Sequence, residues 1–367
     1  MILAAGLDSI NTRFTTLSIY FLLSILFSLF SILFLLSSST QLLVKYFKIV
    51  SEKIIFEVYL RSEHEYIPSI VSTKTPVQSV FNDFKELTKV GLAISVVFSS
   101  LAGYFLAVES WSAVSWTIVA MLAIGGYCMV GASNAFNQII ERDIDAKMDR
   151  TKNRPVASGR VSVNTAFAVA SLLTIAGIVI LYIINPKTAM FGAISIFLYT
   201  SIYTPLKPIT PLSVFVGAFP GAIPFMLGWV AYSGEFGVEA GTLFLIQFFW
   251  QFPHFWAIGW FLYDDYKKAG ISMLPSGKKD SKTALQAILY SVWLTIISVF
   301  PVTGLTGSLT LSTSAAILIF ISGLWMIWAA VQLYQKRTDK AAKSLMLVSV
   351  SYLTLIQIIF VVDKFIF

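Results

Sequence analysis

The sequence predicts an all-α fold, a polytopic membrane helical bundle of nine core transmembrane helices with an extra hydrophobic helix near the N-terminus. Three observations predict it. The chain of 367 residues is 57% apolar and only 12% charged, whereas an average soluble domain is about a quarter charged. Its apolar residues gather in long runs, and its basic residues lie between alternate runs. The same composition, with 15% aromatic residues and a single cysteine, excludes disordered, collagen-like and disulfide-scaffolded proteins.

The predicted spans are apolar runs close to the length of about 20 residues that a helix needs to cross the hydrocarbon core. A run at 16–37 comes first and is either a tenth helix or a membrane-targeting segment. Residues 44–80 have the composition of a mixed-charge linker. We therefore divide the chain into an N-terminal part, residues 1–80, and a transmembrane domain, residues 81–367. The nine core runs are 90–108, 115–138, 163–184, 188–204, 212–232, 240–262, 284–304, 314–334 and 343–362.

The basic residues predict the orientation of these spans. If each of the nine runs crosses once, all but three of the 26 Lys and Arg residues lie on one side, which the positive-inside rule makes cytoplasmic. Membrane topology therefore accounts for the net charge of +7, and no nucleic-acid partner is expected. The lipid bilayer is the expected surrounding: the cell (inner) membrane, or the mitochondrial inner membrane in a eukaryote. The basic segments are 38–89, 139–162, 205–211, 263–283 and 335–343.

An amide and three carboxylates follow the second run at a spacing of four: Asn137, Glu141, Asp145 and Asp149. On a helix this spacing stacks side chains on one face, here where the span meets the cytoplasm. Like charges so placed destabilise a helix unless a cation binds. Mg²⁺ prefers oxygen ligands and often binds through one or two carboxylates together with substrate phosphates. The stripe therefore suits a metal–diphosphate complex.

A basic cluster comes directly after the acidic stripe, formed by Arg142, Arg150, Lys152 and Arg154. Arginine is well shaped for bidentate contacts with phosphate. Stripe and cluster together fit a metal-bound diphosphate better than either does alone. The alternative is an ordinary solvated loop whose charges offset one another.

A second acidic helix end closes the sixth run, where Asp264 and Asp265 are followed by Lys267 and Lys268. It lies on the same predicted face as the first, so the two ends could hold one diphosphate between them. The loop at 205–211 separates them in sequence and carries a single charge, Lys207. That lysine is either a topology marker or a phosphate ligand.

His254 is the sole histidine within the nine core runs, and its position predicts a place two or three turns inside the bilayer. An ionisable residue there is a functional hypothesis by default. It could contact a porphyrin, accept a proton or bond a neighbouring helix. The surrounding aromatic residues are either bundle core and lipid contacts or walls for an isoprenoid and an allylic cation. They are Trp250, Phe252, Phe255, Trp256 and Trp260.

The run from Asn137 to Asp145 resembles the Asn-x-x-x-Asp-x-x-x-Asp signature of membrane-embedded UbiA-type prenyltransferases. The resemblance extends from about Asp83 to the C-terminus, and it departs from the family pattern in three places. Glu141 occupies the position of the first aspartate of the signature. Phe261 occupies that of the first aspartate of the second motif, and Val90-Gly91 replaces a Pro-Arg pair that is common in the family. The segments that are more narrowly similar to the haem-farnesylating subfamily, the protohaem IX farnesyltransferases, are 142–155, 203–207, 253–257 and 265–275.

The resemblance implies a reaction in which haem B, farnesyl diphosphate and water give haem O and diphosphate, with Mg²⁺ as the cofactor. It also implies a haem A synthase or the cytochrome oxidase assembly machinery as candidate protein partners. On this basis the expected catalytic residues are Asn137, Glu141, Asp145 and Asp265. The expected metal ligands are Asn137, Glu141 and Asp145 for one ion, and Asp265 with Asp264 for a second, with Asp149 outside the ligand set. The expected substrate-binding residues are Arg142, Arg150, Lys152, Arg154, Tyr203, Lys207, His254 and Lys268.

Three other functions compete with this one. The nearest keeps the fold but prenylates an aromatic acid or quinone precursor; His254 and the Met273-Leu274-Pro275 motif argue against it. A CDP-alcohol phosphotransferase would need an Asp-Gly…Ala-Arg…Gly…Asp pattern, which the sequence lacks. A transporter usually places its charges near the bilayer midplane, whereas the acidic residues here lie at predicted cytoplasmic helix ends.

Overall fold

The computed structural model describes residues 80–366, and within this range all regular secondary structure is helical. The predicted hydrophobic segment at 16–37 and the linker after it lie outside the described residues. The helices are α1 (Val80–Thr88), α2 (Val90–Ala107), α3 (Trp116–Ile140), α4 (Arg142–Asp145), α5 (Val163–Ile184), α6 (Pro186–Leu206), α7 (Ser213–Ser233), α8 (Val238–Phe261), α9 (Tyr263–Lys268), α10 (Ser281–Val299), α11 (Thr313–Lys336) and α12 (Asp339–Ile366).

All nine predicted core runs are helical, but the predicted count of nine spans is not confirmed. Among the described residues, eight helices are long and apolar enough to cross a membrane: α2, α3, α5, α6, α7, α10 with the turn that follows it, α11 and α12. The exception is α8, which has 24 residues but contains Gln247, Gln251 and His254. These polar residues lower its mean hydropathy, although α8 packs against α7, α10 and α12.

Serine, asparagine and aspartate side chains begin most of the long helices. Each accepts a hydrogen bond from a backbone N–H of the first turn, which has no partner within the helix. Asn185 does so at the start of α6, where Thr188 N lies 2.8 Å from its side-chain oxygen. The remaining caps are Ser115 for α3, Ser162 for α5, Asp280 for α10 and Ser312 for α11.

Helix α7 is the most enclosed of the eight, with 78% of its apolar window buried against at most 44% in the others. It crosses α2 in direct backbone contact. A Cβ atom on Gly103 would lie 2.0 Å from Phe225 O, and one on Gly228 would lie 1.8 Å from Ser100 O. Small residues at such crossings let membrane helices pack closely. Glycine at both positions is therefore a condition of this contact.

The polar residues of α8 satisfy the backbone of α7, which contains two prolines. Pro220 and Pro224 lack the N–H that a helix interior needs, and membrane helices tolerate them when neighbours re-satisfy the backbone. Gln247 Oε1 accepts a hydrogen bond from Phe225 N at 3.0 Å, and Gln251 Nε2 donates to Ala218 O at 2.8 Å. The glutamines that lower the hydropathy of α8 thus stabilise its packing inside the bundle.

Candidate active site

The first acidic motif lies where α3 ends and the short helix α4 begins. The backbone continues in helical fashion, with Glu141 N donating to Asn137 O at 2.9 Å and Asp145 N donating to Glu141 O at 2.7 Å. Asn137, Glu141 and Asp145 are all buried, with at most 4% of each residue exposed. The chain leaves this path after α4, so Asp149 does not extend the stripe as its spacing predicted.

Each buried carboxylate has a basic partner. Lys207 Nζ lies 2.9 Å from Glu141 Oε1 and donates to Asn137 Oδ1 at 3.0 Å. Arg154 Nη1 lies 2.8 and 2.7 Å from the two carboxylate oxygens of Asp145. Side-chain cations therefore compensate the charge of the stripe, and its binding of a metal ion stays a prediction.

The Glu141–Lys207 pair is held in its ionised form. Burial alone would raise the pKa of Glu141, but Lys207, helped by a hydrogen bond from Asn137 Nδ2 at 2.7 Å, outweighs it and lowers that pKa. Burial likewise opposes the charged form of Lys207, and the nearby Glu141 carboxylate raises the Lys207 pKa overall. Both shifts favour a permanent charge pair at this depth.

The end of α6 positions Lys207. Thr204 Oγ1 donates to Tyr199 O at 2.8 Å and lies 3.3 Å from Asn137 Oδ1, a contact that brings the loop against α3. The Lys207 ammonium lies 4.5 Å from the centre of the Tyr203 ring, a cation–π distance. Tyr203 packs on Gly217 of α7, where a Cβ would lie 2.6 Å from the ring. Tyr203 therefore contacts a predicted phosphate ligand and shapes its position.

Lys89 joins this cluster, although it belongs to none of the sequence motifs. It lies between α1 and α2 in the left-handed backbone region, with φ 50°. Burial, together with the neighbouring Arg154 and Lys207, lowers the pKa of Lys89 to about 7. Within residues 80–366 no carboxylate forms an ion pair with it. The cluster thus contains three basic side chains and two carboxylates, and when Lys89 is protonated its net charge is positive, which favours an anion.

Side chains of α3 hold the end of α1 and hence Lys89. Asn134 Nδ2 donates to Thr88 O at 3.3 Å, and Gln138 Nε2 donates to the backbone oxygens of Glu86 and Leu87 at 3.0 and 3.2 Å. These contacts fix the turn that imposes a positive φ on a residue with a side chain. One indication in the sequence that Lys89 belongs to the site is its position directly before an apolar run.

A cavity of about 500 Å³ opens beside Lys89, between the start of α2 and the loop after α4. Lys85, Lys89, Arg150 and Arg154 line it, with Glu86 as the acidic contributor. An anion entering this cavity would meet the basic side chains of the cluster before the buried carboxylates.

The second acidic motif reaches the first loop through Asp265. Its carboxylate accepts hydrogen bonds from the backbone N–H groups of Asp149, at 2.9 Å, and Arg150, at 3.3 Å. Lys268 Nζ lies 2.5 Å from Asp149 Oδ2 and 3.7 Å from Asp265 Oδ1. Hydrogen bonds from Lys152 and Lys268 lower the pKa of Asp149 to about 2. The two acidic helix ends therefore lie together on one face of the bundle.

Several residues expected at the site lie at its edge or away from it. The Asp264 side chain is 85% exposed and lies 3.8 Å from Lys279. Arg142 bonds the exposed Asp143, and Lys152 bonds Asp149. Arg150 lies 6.0 Å from the Tyr266 ring and faces the cavity.

His254 lies deeper in the bundle, where Nδ1 is 2.8 Å from Ser349 Oγ. Trp250 stacks on its ring. The other aromatic residues near it are mostly core: Phe252 and Trp256 pack on Tyr290, and Trp260 is fully buried.

Known proteins are similar to this chain in sequence and in fold. Residues 96–354 match the UbiA prenyltransferase family. The chain is 72% identical over 289 residues to the protoheme IX farnesyltransferase of Flavobacterium johnsoniae, an alignment that covers 79% of this chain and 96% of the relative. It is 42% identical over 289 residues to the protoheme IX farnesyltransferase of Cytophaga hutchinsonii, covering 78% of this chain and 99% of the relative.

Solved structures share the fold at low sequence identity. A structure of digeranylgeranylglyceryl phosphate synthase matches with a TM-score of 0.65 and 20% identity, covering 78% of this chain and 99% of that one. A UbiA homolog from Archaeoglobus fulgidus bound to GPP and Mg²⁺ matches with a TM-score of 0.53 and 13% identity, covering 75% and 99%. At these identities the likeness shows the fold alone.

Proposed function

The chain belongs to the UbiA prenyltransferase family, and from that premise we propose that it transfers the farnesyl group of farnesyl diphosphate to a vinyl group of haem B. Water is the third reactant and supplies the hydroxyl, so the products are haem O and diphosphate. The observation that carries the proposal is the buried cluster at the end of α3, where Lys89, Arg154 and Lys207 surround Glu141 and Asp145. The name of the relative that is 72% identical supports farnesyl as donor group and haem as acceptor.

The basic side chains of the cluster hold the diphosphate. Arg154 and Lys207 already lie within 3 Å of carboxylate oxygens, so each can exchange a carboxylate contact for a phosphate oxygen. Lys89 lines the same cavity as Arg154 and adds a third positive charge when it is protonated. As the bond between C1 and the diphosphate breaks, negative charge grows on the leaving group. Donors already in place stabilise that charge, and such electrostatic stabilisation usually contributes most to the rate enhancement.

The oxygen donors of the stripe fit Mg²⁺. The described residues contain no group of three or more His, Cys, Asp or Glu side chains that could enclose a metal by themselves. Mg²⁺ commonly binds through one or two carboxylates together with substrate phosphates. Asn137, Glu141 and Asp145 would hold the ion, with Asp265 at the neighbouring helix end. Mg²⁺ bound there supplies Lewis-acid stabilisation of the departing diphosphate.

The chain is a multi-pass membrane protein, and we place its active site at the cytoplasmic face of the cell membrane. The positive-inside rule supports this side, because the loops that carry Arg150, Arg154, Lys207 and Lys268 are the basic ones. Haem O released at this rim stays in the bilayer. A membrane enzyme that modifies haem further, or the oxidase that receives it, is the class of partner that would consume the product.

The experiment that tests this function uses purified protein reconstituted in lipid with Mg²⁺, farnesyl diphosphate and one of two acceptors, haem B or a hydroxybenzoate. We expect haem O, identified by its mass, and no farnesylated hydroxybenzoate. Farnesylation of the hydroxybenzoate without haem O would overturn the choice of acceptor but keep the prenyl transfer. Absence of both products from protein that remains folded would overturn the transferase function itself.

A further inference from the structure

The imidazole of His254 is held in one orientation inside the bundle. It is the sole histidine of residues 80–366 and lies on α8, seven residues before the helix ends. At a rise of 1.5 Å per residue this is about 10 Å from the rim where α9 presents Asp265. Trp250 stacks on the imidazole with ring centres 4.6 Å apart and donates through Nε1 to Ser349 O at 2.6 Å.

The hydrogen bonds around Ser349 favour one tautomer of His254. Ser349 Oγ donates to Met346 O at 2.7 Å and also lies 2.8 Å from His254 Nδ1. A hydroxyl has one proton, so with that proton on Met346 O the imidazole must donate from Nδ1. In this assignment Nε2 carries the lone pair, and no described residue donates a hydrogen bond to it.

His254 belongs to a partly exposed face of α8. Trp250, His254, Ile258 and Phe261 share one side of the helix by their spacing, and each is neither buried nor fully exposed. Gln251, by contrast, is buried against α7. The face is otherwise apolar and ends at the acidic rim. It therefore carries one imidazole on an otherwise apolar, partly exposed face beside the proposed site of prenyl transfer.

We propose that His254 Nε2 is an axial ligand to the iron of the haem B substrate, with Ser349 as the residue that orients the imidazole. A neutral imidazole is a common ligand of haem iron. Its second nitrogen usually donates to a partner that fixes the ring, as Nδ1 does here. Ligation would hold the porphyrin at a set depth below the diphosphate cluster. The inference rests on the proposed function, because it requires haem as the acceptor.

The test is binding of haem B and of metal-free protoporphyrin IX to the full-length protein in lipid nanodiscs, without the prenyl donor. We expect wild type to bind haem at least about tenfold more tightly than the metal-free porphyrin, with the absorption and electron paramagnetic resonance signature of imidazole-ligated ferric haem. His254→Ala should lose both the preference and the signature, and added imidazole should restore the signature. Ser349→Ala should weaken haem binding by about tenfold. Ile258→Ala, on the same face without a ligating atom, should keep the signature.

The outcomes separate the inference from the function on which it rests. If His254→Ala binds haem with unchanged affinity and spectrum while wild type produces haem O, the ligation is wrong and the function stands. If folded wild type prefers haem no more than protoporphyrin IX but still produces haem O, the ligation is also wrong. If wild type neither binds haem nor produces haem O, both are overturned.

Discussion

The Lys207 ammonium lies 2.9 Å from Glu141 Oε1, and the two side chains are only 12% and 5% exposed. This contact joins the end of α6 to the end of α3 and places one positive charge against the acidic stripe. Removing one partner of a buried ion pair leaves an uncompensated charge, which typically costs about 3 to 5 kcal/mol.

The buried pair gives the first prediction. Lys207→Met should lower the free energy of unfolding by about 3 kcal/mol, because Glu141 would be left buried without its basic partner. The double variant Glu141→Gln with Lys207→Met should recover part of this loss. Denaturant unfolding in detergent measures both. Equal stability of wild type and the single variant would contradict the pairing.

Asp145→Asn should abolish prenyl transfer while the protein remains inserted and folded. The change removes a charge whose two oxygens Arg154 contacts and that the proposed metal site requires, so activity should fall by at least about 100-fold. Asp143→Asn is the matched control, because Asp143 lies two residues away with its side chain 81% exposed. Retained turnover in Asp145→Asn, measured by haem O formation, would count against the metal assignment.

Asp265 and its neighbour Asp264 should differ sharply when each is changed to asparagine. The Asp265 side chain is 15% exposed and accepts a hydrogen bond from the backbone of the loop after α4. The Asp264 side chain is 85% exposed, and among the described residues its ion-pair partner is Lys279. We expect Asp265→Asn to raise the KM for farnesyl diphosphate or lower kcat by at least about tenfold, and Asp264→Asn to change neither. A strong effect of Asp264→Asn would show that Asp264 takes part in metal binding.

The affinity for farnesyl diphosphate should fall as the pH rises through about 7, the pKa to which burial, Arg154 and Lys207 lower Lys89. Below this pH Lys89 carries its proton and attracts the anion, and above it the attraction is lost by up to about tenfold per pH unit. Titration of a non-reactive thio analogue at several pH values measures the effect.

Lys89→Arg is the control for this pH dependence, because arginine keeps its charge throughout the range. Its binding curve should lack the fall above pH 7 while retaining any contribution from the phosphate groups themselves. If the affinity falls equally in wild type and Lys89→Arg, the pH dependence comes from a group other than Lys89.

Gly228→Ala should destabilise the protein, because its Cβ would lie 1.8 Å from Ser100 O and 2.4 Å from Tyr104 N. Backbone atoms cannot move aside as a side chain would, so we expect a loss of about 3 kcal/mol or more. Gly241→Ala on α8 is the matched control, since nothing lies within 4 Å of its added Cβ. Melting temperatures in the same detergent compare them, and equal values would refute the close crossing.

The sequence was sufficient to predict the family, the all-α membrane fold and the position of each long helix. Hydrophobic run length and basic loops are local signals, and lipid makes them reliable because every backbone polar group must be satisfied within helices. The span count was less secure. The glutamines of α8 pair with the backbone of α7, and hydropathy registers their polarity but not their partners.

The parts that the sequence left open depend on contacts between distant segments. Lys89 enters the cluster because Asn134 and Gln138 fix the preceding turn. The spacing of four put Asp149 on the acidic face only on the assumption that the helix continues, and the chain turns after Asp145 instead. Adjacent aspartates in α9 point to different surroundings, and helical periodicity separates the two without telling which one faces the first loop.

The glycine contact between α2 and α7 bears on how the enzyme would behave in membranes of different thickness. A crossing made by main-chain atoms has no rotamers through which it can yield, so the two helices would tilt together when the bilayer thins or swells. Lys89 precedes one of these helices, and the loop with Lys207 precedes the other. The distance between Lys89 and Lys207 should therefore be insensitive to lipid chain length, even where the outer helices adjust to it.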